Sequence, residues 1–168
     1  MAIIIEKAKT TDAEAILTFS KICGSETDNL SFGESGIPIS VEQEASFISS
    51  IENSNSDIFL VARDGNEIVG TSNYSSFSKK RMAHRGEFGI SVRRSYWNQG
   101  VGTMLMEHIL DFAKNVAKAE IVSLEVRSDN EAAIHLYRKF GFEKIGTFKG
   151  YFKIGEELID FDIMELFL

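Results

Sequence analysis

The chain has 168 residues, 43 % of them apolar and 26 % charged, the balance of a globular domain able to bury one sizeable core. Thirteen phenylalanines, a single proline and no low-complexity tract exclude a disordered or collagen-like chain. A formal charge of −7 argues against a nucleic-acid partner and favours cationic ones.

Cys23 stands alone, so no intrachain disulfide forms, and a reducing, cytoplasmic setting is expected. The N-terminal run Ile3-Ile4-Ile5, followed by Glu6 and Lys7, is too short for the apolar region of a signal peptide. No stretch approaches the roughly 18 apolar residues that cross a bilayer, so no membrane association is expected. Three histidines (His84, His108, His135) with no pair at ligand spacing argue against structural zinc.

In chain order, Ala2 to Lys9 reads as a strand. Thr11-Asp12-Ala13-Glu14 has capping-box spacing and opens a helix through about Lys21. Cys23 to Ile39, with three glycines, three serines and Pro38, reads as a loop of seventeen residues. A loop that long is either a binding lid or a surface connector. Ser40-Val41-Glu42-Gln43 is a second capping box, before a helix ending near Ser50. Asp57 to Arg63 and Glu67 to Tyr74 flank Asp64-Gly65-Asn66 as a hairpin. Arg85 to Val92 is the next strand, with Phe88, Ile90 and Val92 alternating onto one face. Gly89 inside it marks either a weakened position or a bulge.

Val101, Met104, Leu105, His108, Ile109, Phe112, Ala113 and Val116 recur at helical spacing. Ile121 to Val126 is a short strand. Ser128-Asp129-Asn130-Glu131 is a third capping box, opening a helix with Ala133, Leu136, Tyr137 and Phe140 on one face and Gly141 at its end. Strands from about Glu143 to Lys149 and Leu158 to Leu166 close the chain, linked through Gly155. The order is mixed α/β, and the strand–helix–strand–helix–strand run from Arg85 to Lys149 implies at least one parallel pairing.

Gln99-Gly100-Val101-Gly102-Thr103 lies between a strand and a long amphipathic helix. A helix start offers unpaired N–H groups and partial positive charge, and glycine lets a phosphate approach the backbone. A plain turn fits the two glycines equally well. The spacing matches neither the nucleotide-triphosphate loop nor the dinucleotide fingerprint, since Leu105 stands where the latter needs its third glycine.

About 30 residues on stands Asn130-Glu131-Ala132-Ala133-Ile134-His135-Leu136-Tyr137-Arg138-Lys139-Phe140-Gly141-Phe142. Asn-x-x-Ala-x-x-Leu-Tyr-x-x-x-Gly-Phe after a Gly-x-Gly strand–helix turn resembles the GNAT superfamily of acyl-CoA-dependent N-acetyltransferases. The likeness is strongest over Arg85 to Phe142. The tail, with Gly150-Tyr151, Gly155 and Asp160 before Ile163-Met164, is similar to the branch of ribosomal-protein N-terminal and small-amine acetyltransferases. Trp97 stands where the family's phosphate loop usually carries Arg or Gln, and Tyr-Trp here reads as a feature of that branch.

The resemblance implies a single N-acetyltransferase domain over residues 1–168, an α/β (α+β) fold with a mixed, mostly antiparallel sheet of about seven strands and four helices. It implies acetyl-CoA as co-substrate, its diphosphate on the loop Asn98, Gln99, Gly100, Val101, Gly102 and Thr103. The pantetheine arm would pair with Ile90, Ser91 and Val92 on a strand splayed from its neighbour at a bulge near Gly89, with Asn130 and Ala133 as further contacts. A strand N–H would stabilise the oxyanion of the reacting carbonyl. Tyr137 matches the family's general acid. A thiol near pKa 8.5 and a tyrosine near 10 leave that proton transfer close to balanced. Without the likeness, Tyr137 reads rather as the next core position after Ala133.

Glu87 lies where some members place a catalytic carboxylate; a solvated glutamate and a water relay are the alternatives. Among the remaining polar residues, His108 reads as a core histidine and His135 as a surface one, and Lys79-Lys80-Arg81 with Arg85 as a solvated basic turn. Arg93, Arg94, Arg138 and Lys139 lie close enough in sequence to meet the adenosine phosphates.

The expected reaction is acetyl transfer from acetyl-CoA to a primary amine of a small molecule, by direct attack in a ternary complex, with no metal. Alternatives are a protein N-terminal acetyltransferase and a non-catalytic acyl-CoA-binding regulator. The acceptor site is expected from the loop Cys23 to Ile39, the helix after it, and the hairpin Tyr151 to Glu157. A homodimer is expected by analogy.

Overall fold

A computed structural model describes residues 2–168. Strands β1 (Ile3–Lys7), β2 (Asp57–Asp64), β3 (Glu67–Ser76), β4 (Arg85–Val92), β5 (Ile121–Arg127), β6 (Glu143–Ile154) and β7 (Glu157–Phe167) form one sheet. Its order is β1-β2-β3-β4-β5-β7-β6. Every neighbouring pair is antiparallel except β4–β5, which is parallel. The helices are α1 (Ala13–Glu26), α2 (Val41–Ile51), α3 (Val101–Asn115) and α4 (Glu131–Lys139). Seven strands and four helices agree with the expected α/β architecture.

Helices α1 and α2 cover one face, where Ala13, Ile16, Phe19 and Ile48 pack on Val61 and Ile68. Helices α3 and α4 cover the other, where Leu105, Ile109, Phe112 and Tyr137 pack on Tyr74, Phe88 and Leu124. Alternation along each strand therefore decides which side chain meets which helix pair. The crossover through α3 is what allows β4 and β5 to run parallel.

Several local expectations need correction. Thr11 caps nothing: the chain makes a 3₁₀ turn at Thr10–Asp12, and the Asp12 carboxylate accepts the Lys9 backbone N–H at 2.8 Å. Helix α1 runs past Lys21 to Glu26 because Cys23 and Gly24 are buried on its inner face. The second box is as expected, with Gln43 N–H on Ser40 Oγ and Ser40 N–H on Gln43 Oε1. At the third, Asn130 rather than Ser128 caps the helix, accepting Ala133 N–H at 3.3 Å. The Ser128 hydroxyl donates instead to Asp162 at 2.6 Å. His108 and Val116 are exposed, because the buried stripe of α3 runs through Val101, Leu105, Met106, Ile109, Phe112 and Ala113. Strand β6 continues past Lys149 to Ile154, with a register break between Phe148 and Phe152 where Gly150 takes a φ of +60°.

The feature that positions a site is the β4–β5 junction. Only Arg85↔Ile121, Gly86↔Val122 and Glu87↔Ser123 are paired. Gly86 at this pairing leaves room for Tyr74 of β3, since a Cβ there would lie 2.1 Å from the buried Tyr74 hydroxyl. Beyond Glu87, β4 stays with β3 and β5 stays with β7, so the sheet opens. No bulge causes it, since the β3–β4 register runs unbroken from Gly70↔Val92 to Ser76↔Gly86.

Candidate active site

A cavity of about 1000 Å³ occupies the opening between β4 and β5. From Phe88 to Val92 the β4 backbone groups that point toward β5 have no strand partner. That bare edge offers a row of donors and acceptors to an extended amide chain. Ile90, Ser91 and Val92 all line the cavity.

At the far end of β4 the chain turns into α3 through two left-handed residues, Asn98 (φ +60°) and Gly100 (φ +82°). Successive N–H groups in such a turn, leading into the unpaired N–H groups of a helix start, form a concave anion cradle. A Cβ on Gly100 would project into open space, so the glycine serves the left-handed backbone there. Gly102 has another role, since its Cβ would lie 3.2 Å from Leu136 as α3 passes α4. Asn98, Gly100, Val101, Gly102 and Thr103 line the cavity, whereas Gln99 does not. The Gln99 side chain donates back to the Ser95 carbonyl at 2.7 Å. Trp97 anchors this turn by donating its indole N–H to the Val92 carbonyl at 2.8 Å, with the Arg94 guanidinium over its ring.

Arg93 and Arg94 do not reach toward phosphates as their sequence position implied. Arg93 is held by Glu26 (3.2 Å) and Glu67 (2.7 Å), and Arg94 bonds the Glu26 backbone carbonyl and carboxylate. They strap the end of α1 to the site. Beyond it, Arg127 reaches the Asp28 carbonyl, and Ile37 N–H donates to Ser20 Oγ at 3.2 Å. The loop between α1 and α2 is thus fastened over the cleft, and Leu30 and Phe32 line the cavity.

On the α4 side, Tyr137 is 7 % exposed and its ring packs edge-on to Phe88 and Phe142, both at 6.1 Å. Among the described residues no protein group bonds its hydroxyl, yet no buried side-chain polar atom is orphaned, so the hydroxyl opens on the cavity. Burial pushes its pKa well above the ordinary tyrosine value. The near balance with a free thiol expected above therefore needs correction. A thiolate placed beside the Tyr137 hydroxyl would be lifted in the same direction by the same loss of solvation. Asn130 and Ala133 also line the cavity, although the Ala133 N–H is already used by the Asn130 cap.

Glu87 points away from the Phe88 side, as alternation requires, into the opposite half of the cavity. Its carboxyl is lifted above the ordinary glutamate range by burial and, next, by the charge of Glu125. Glu125 was missed from the sequence. The signal was present: Leu124 and Val126 face the core, so the residue between them faces as Glu87 does. The Tyr151 hydroxyl, from the expected hairpin region, donates to Glu125 at 2.7 Å. Accepting from that hydroxyl, and then burial, push Tyr151 up to about 12. Tyr151 and Phe152, like Leu30 and Phe32, line the cavity.

A model of the acetyltransferase (GNAT) family matches residues 26–142. The crystal structure of a GNAT-family acetyltransferase from Streptococcus pneumoniae shares 30 % identity and a TM-score of 0.95, covering 99 % of this chain and 100 % of that one. N-alpha-acetyltransferase RimI of Mycobacterium tuberculosis is 33 % identical over 96 residues, 57 % of this chain and 58 % of its own length. L-amino acid N-acetyltransferase AaaT of Escherichia coli is 34 % identical over 101 residues, 60 % of this chain and 62 % of its own. Each of these two matches thus spans less than two thirds of the relative.

Proposed function

Because the chain belongs to the acetyltransferase (GNAT) family, we propose that it transfers the acetyl group of acetyl-CoA to the primary amine of a small molecule, by direct attack in a ternary complex. The observation that carries this reading is one cavity joining the anion cradle at α3, the free edge of β4, an unpartnered tyrosine hydroxyl and two carboxylates. When bound, acetyl-CoA supplies an acetyl group activated as a thioester, with a thiolate as leaving group.

The residues fit that co-substrate. The turn from Asn98 to Thr103 holds the diphosphate on backbone N–H groups, at a position where any Cβ on Gly100 would be strained. Ile90, Ser91 and Val92 offer the pantetheine amides a strand edge. A β4 N–H near the apex of the opening is preorganised to stabilise negative charge on the acetyl oxygen.

The acceptor arrives as an ammonium ion and must lose a proton to expose its lone pair. Glu87 or Glu125 takes that proton, directly or through water. As the amide forms, the nitrogen sheds its second proton and Tyr137 gives its hydroxyl proton to the departing sulfur; the shed proton, passed through water, restores the tyrosine, so the thiol leaves neutral and the carboxylate holds the one proton released overall.

Leu30, Phe32, Tyr151 and Phe152 add bulky apolar side chains to the cavity lining, which favours a small molecule. The likeness to RimI favours a second reading, acetylation of a protein N-terminus. Incubation with acetyl-CoA and a panel of small amines and short unblocked peptides, read by free thiol and by mass of the product, separates them. Acetylated small amines support the proposal; acetylation of peptides alone supports the second reading. Thioester loss with no acetylated product contradicts both.

A further inference from the structure

Alternation along the strands divides the cavity. Phe88 and Leu124 face α3 and α4, while Asn73, Ser75, Glu87 and Glu125 face the opposite half. In that half Glu87 and Glu125 stand on two neighbouring strands with no basic partner among the described residues. The nearby cations are already paired. Arg85 is bonded to Glu165, Arg127 is gripped at two of its three guanidinium nitrogens by Asp129 (2.9 and 2.8 Å), and Lys149 lies 3.0 Å from Asp160. Among the described residues, the side-chain bond to Glu125 comes from the neutral Tyr151 hydroxyl.

A second observation marks the place as built for a ligand. The Tyr137 hydroxyl, on a side chain more than nine-tenths buried, opens on the same cavity from the α4 half, unpartnered among the described residues. The flank beside Glu125 is aromatic, with Tyr151, Phe152 and Phe161 at centroid distances of 4.2 to 5.6 Å from one another. Such a wall covers methylenes and attracts cations over its faces.

We propose that the acceptor is a short-chain diamine carrying no carboxylate, its two ammonium groups received by Glu87 and Glu125. The proposal rests on the acetyltransferase reading above. Glu87 pairs with Ser123, and Glu125 lies two residues farther along β5. That diagonal sets the roots of the two side chains about 7 Å apart, a span that several methylenes cover. One ammonium gives its proton to a carboxylate and becomes the nucleophile; the other stays charged and neutralises the second carboxylate. A monoamine leaves that carboxylate unpaired. A free α-amino acid brings a third carboxylate beside Glu87 and Glu125, where among the described residues Arg127 is already paired and Lys139 lines the cavity from α4 instead, so this chain departs from the acceptor in the name of its relative AaaT.

The test compares putrescine with n-pentylamine, which replaces one ammonium by a methyl group, and with L-ornithine, which adds only a carboxylate. The expected kcat/KM for putrescine exceeds each by about tenfold or more, the effect of one semi-solvated charge contact. In Glu125→Gln the ratio of putrescine to n-pentylamine falls toward one, while the thermal shift produced by acetyl-CoA is kept. Taking the ratio within one variant cancels any loss of base function. Equal rates for the three amines, or no turnover of putrescine by protein that binds acetyl-CoA, overturn the diamine proposal alone. Absence of acetyl-CoA binding overturns the acetyltransferase reading, and this proposal with it.

Discussion

Replacing Tyr137 with Phe removes one oxygen from a position where the structure separates packing from chemistry. The ring stays edge-on to Phe88 and Phe142, each 6.1 Å away, and no protein group loses a hydrogen-bond partner. Deleting an unpartnered hydroxyl without opening a cavity changes stability by no more than about 0.5 kcal/mol. The acetyl-CoA contacts proposed for the α3 turn and the β4 edge do not involve this oxygen, so affinity is kept. The loss falls on the proton given to the departing thiolate, a step worth about a hundredfold or more in rate. Initial rates of thiol release at saturating amine and acetyl-CoA, beside melting curves with and without acetyl-CoA, measure all three. An unchanged kcat removes Tyr137 from the mechanism. A collapse in melting temperature shows the hydroxyl to be structural and refutes the reasoning equally.

Other outcomes follow from single contacts. A Cβ on Gly24 would lie 1.9 Å from the Gly33 carbonyl oxygen, so Gly24→Ala pushes the loop carrying Leu30 and Phe32 off the cleft. It is expected to raise the KM of the amine severalfold and lower the melting temperature by several degrees, leaving the acetyl-CoA shift in place. Glu44 is 3 % exposed, and burial lifts its carboxyl above the reference value of 4.5. The folded state holds that proton more tightly than the unfolded one, so the charge costs stability that grows as pH rises through and above 4.5. Glu44→Gln therefore raises the melting temperature near neutral pH, and the gain vanishes in acid. Glu87 is lifted by burial and by Glu125, so the acid limb of kcat/KM should lie above 4.5 and move to lower pH in Glu125→Gln. A limb that stays in place shows that Glu87 does not titrate in the reaction.

Strand β4 was legible to its end residues, because Phe88, Ile90 and Val92 alternate and the turns on both sides are marked. The Ser40–Gln43 box was legible because both halves are local. Where a longer-range contact competed, local spacing misled: Ser128 answers to Asp162 on β7, and Cys23 and Gly24 extend α1 by burying against the sheet. His108 was misplaced because three-residue spacing sits at the rim of a helical stripe, not within it. The opening of the sheet was inferred from a likeness, and its cause was not a bulge but the end of β4–β5 pairing after Glu87. Glu125 needed only the alternation of β5 to be found. The strapping of the loop by Arg93, Arg94 and Arg127 could not be read, because those partners lie 67 to 99 residues away along the chain.

The central claim is that the cleft between β4 and β5 receives acetyl-CoA, and a thermal titration tests it most directly. At about 100 times its dissociation constant, acetyl-CoA should stabilise the protein by roughly 2.7 kcal/mol, a rise of several degrees at this size. NAD, a dinucleotide without the pantetheine arm, should leave the melting temperature unchanged. No shift at millimolar acetyl-CoA, or an equal shift with NAD, contradicts the account.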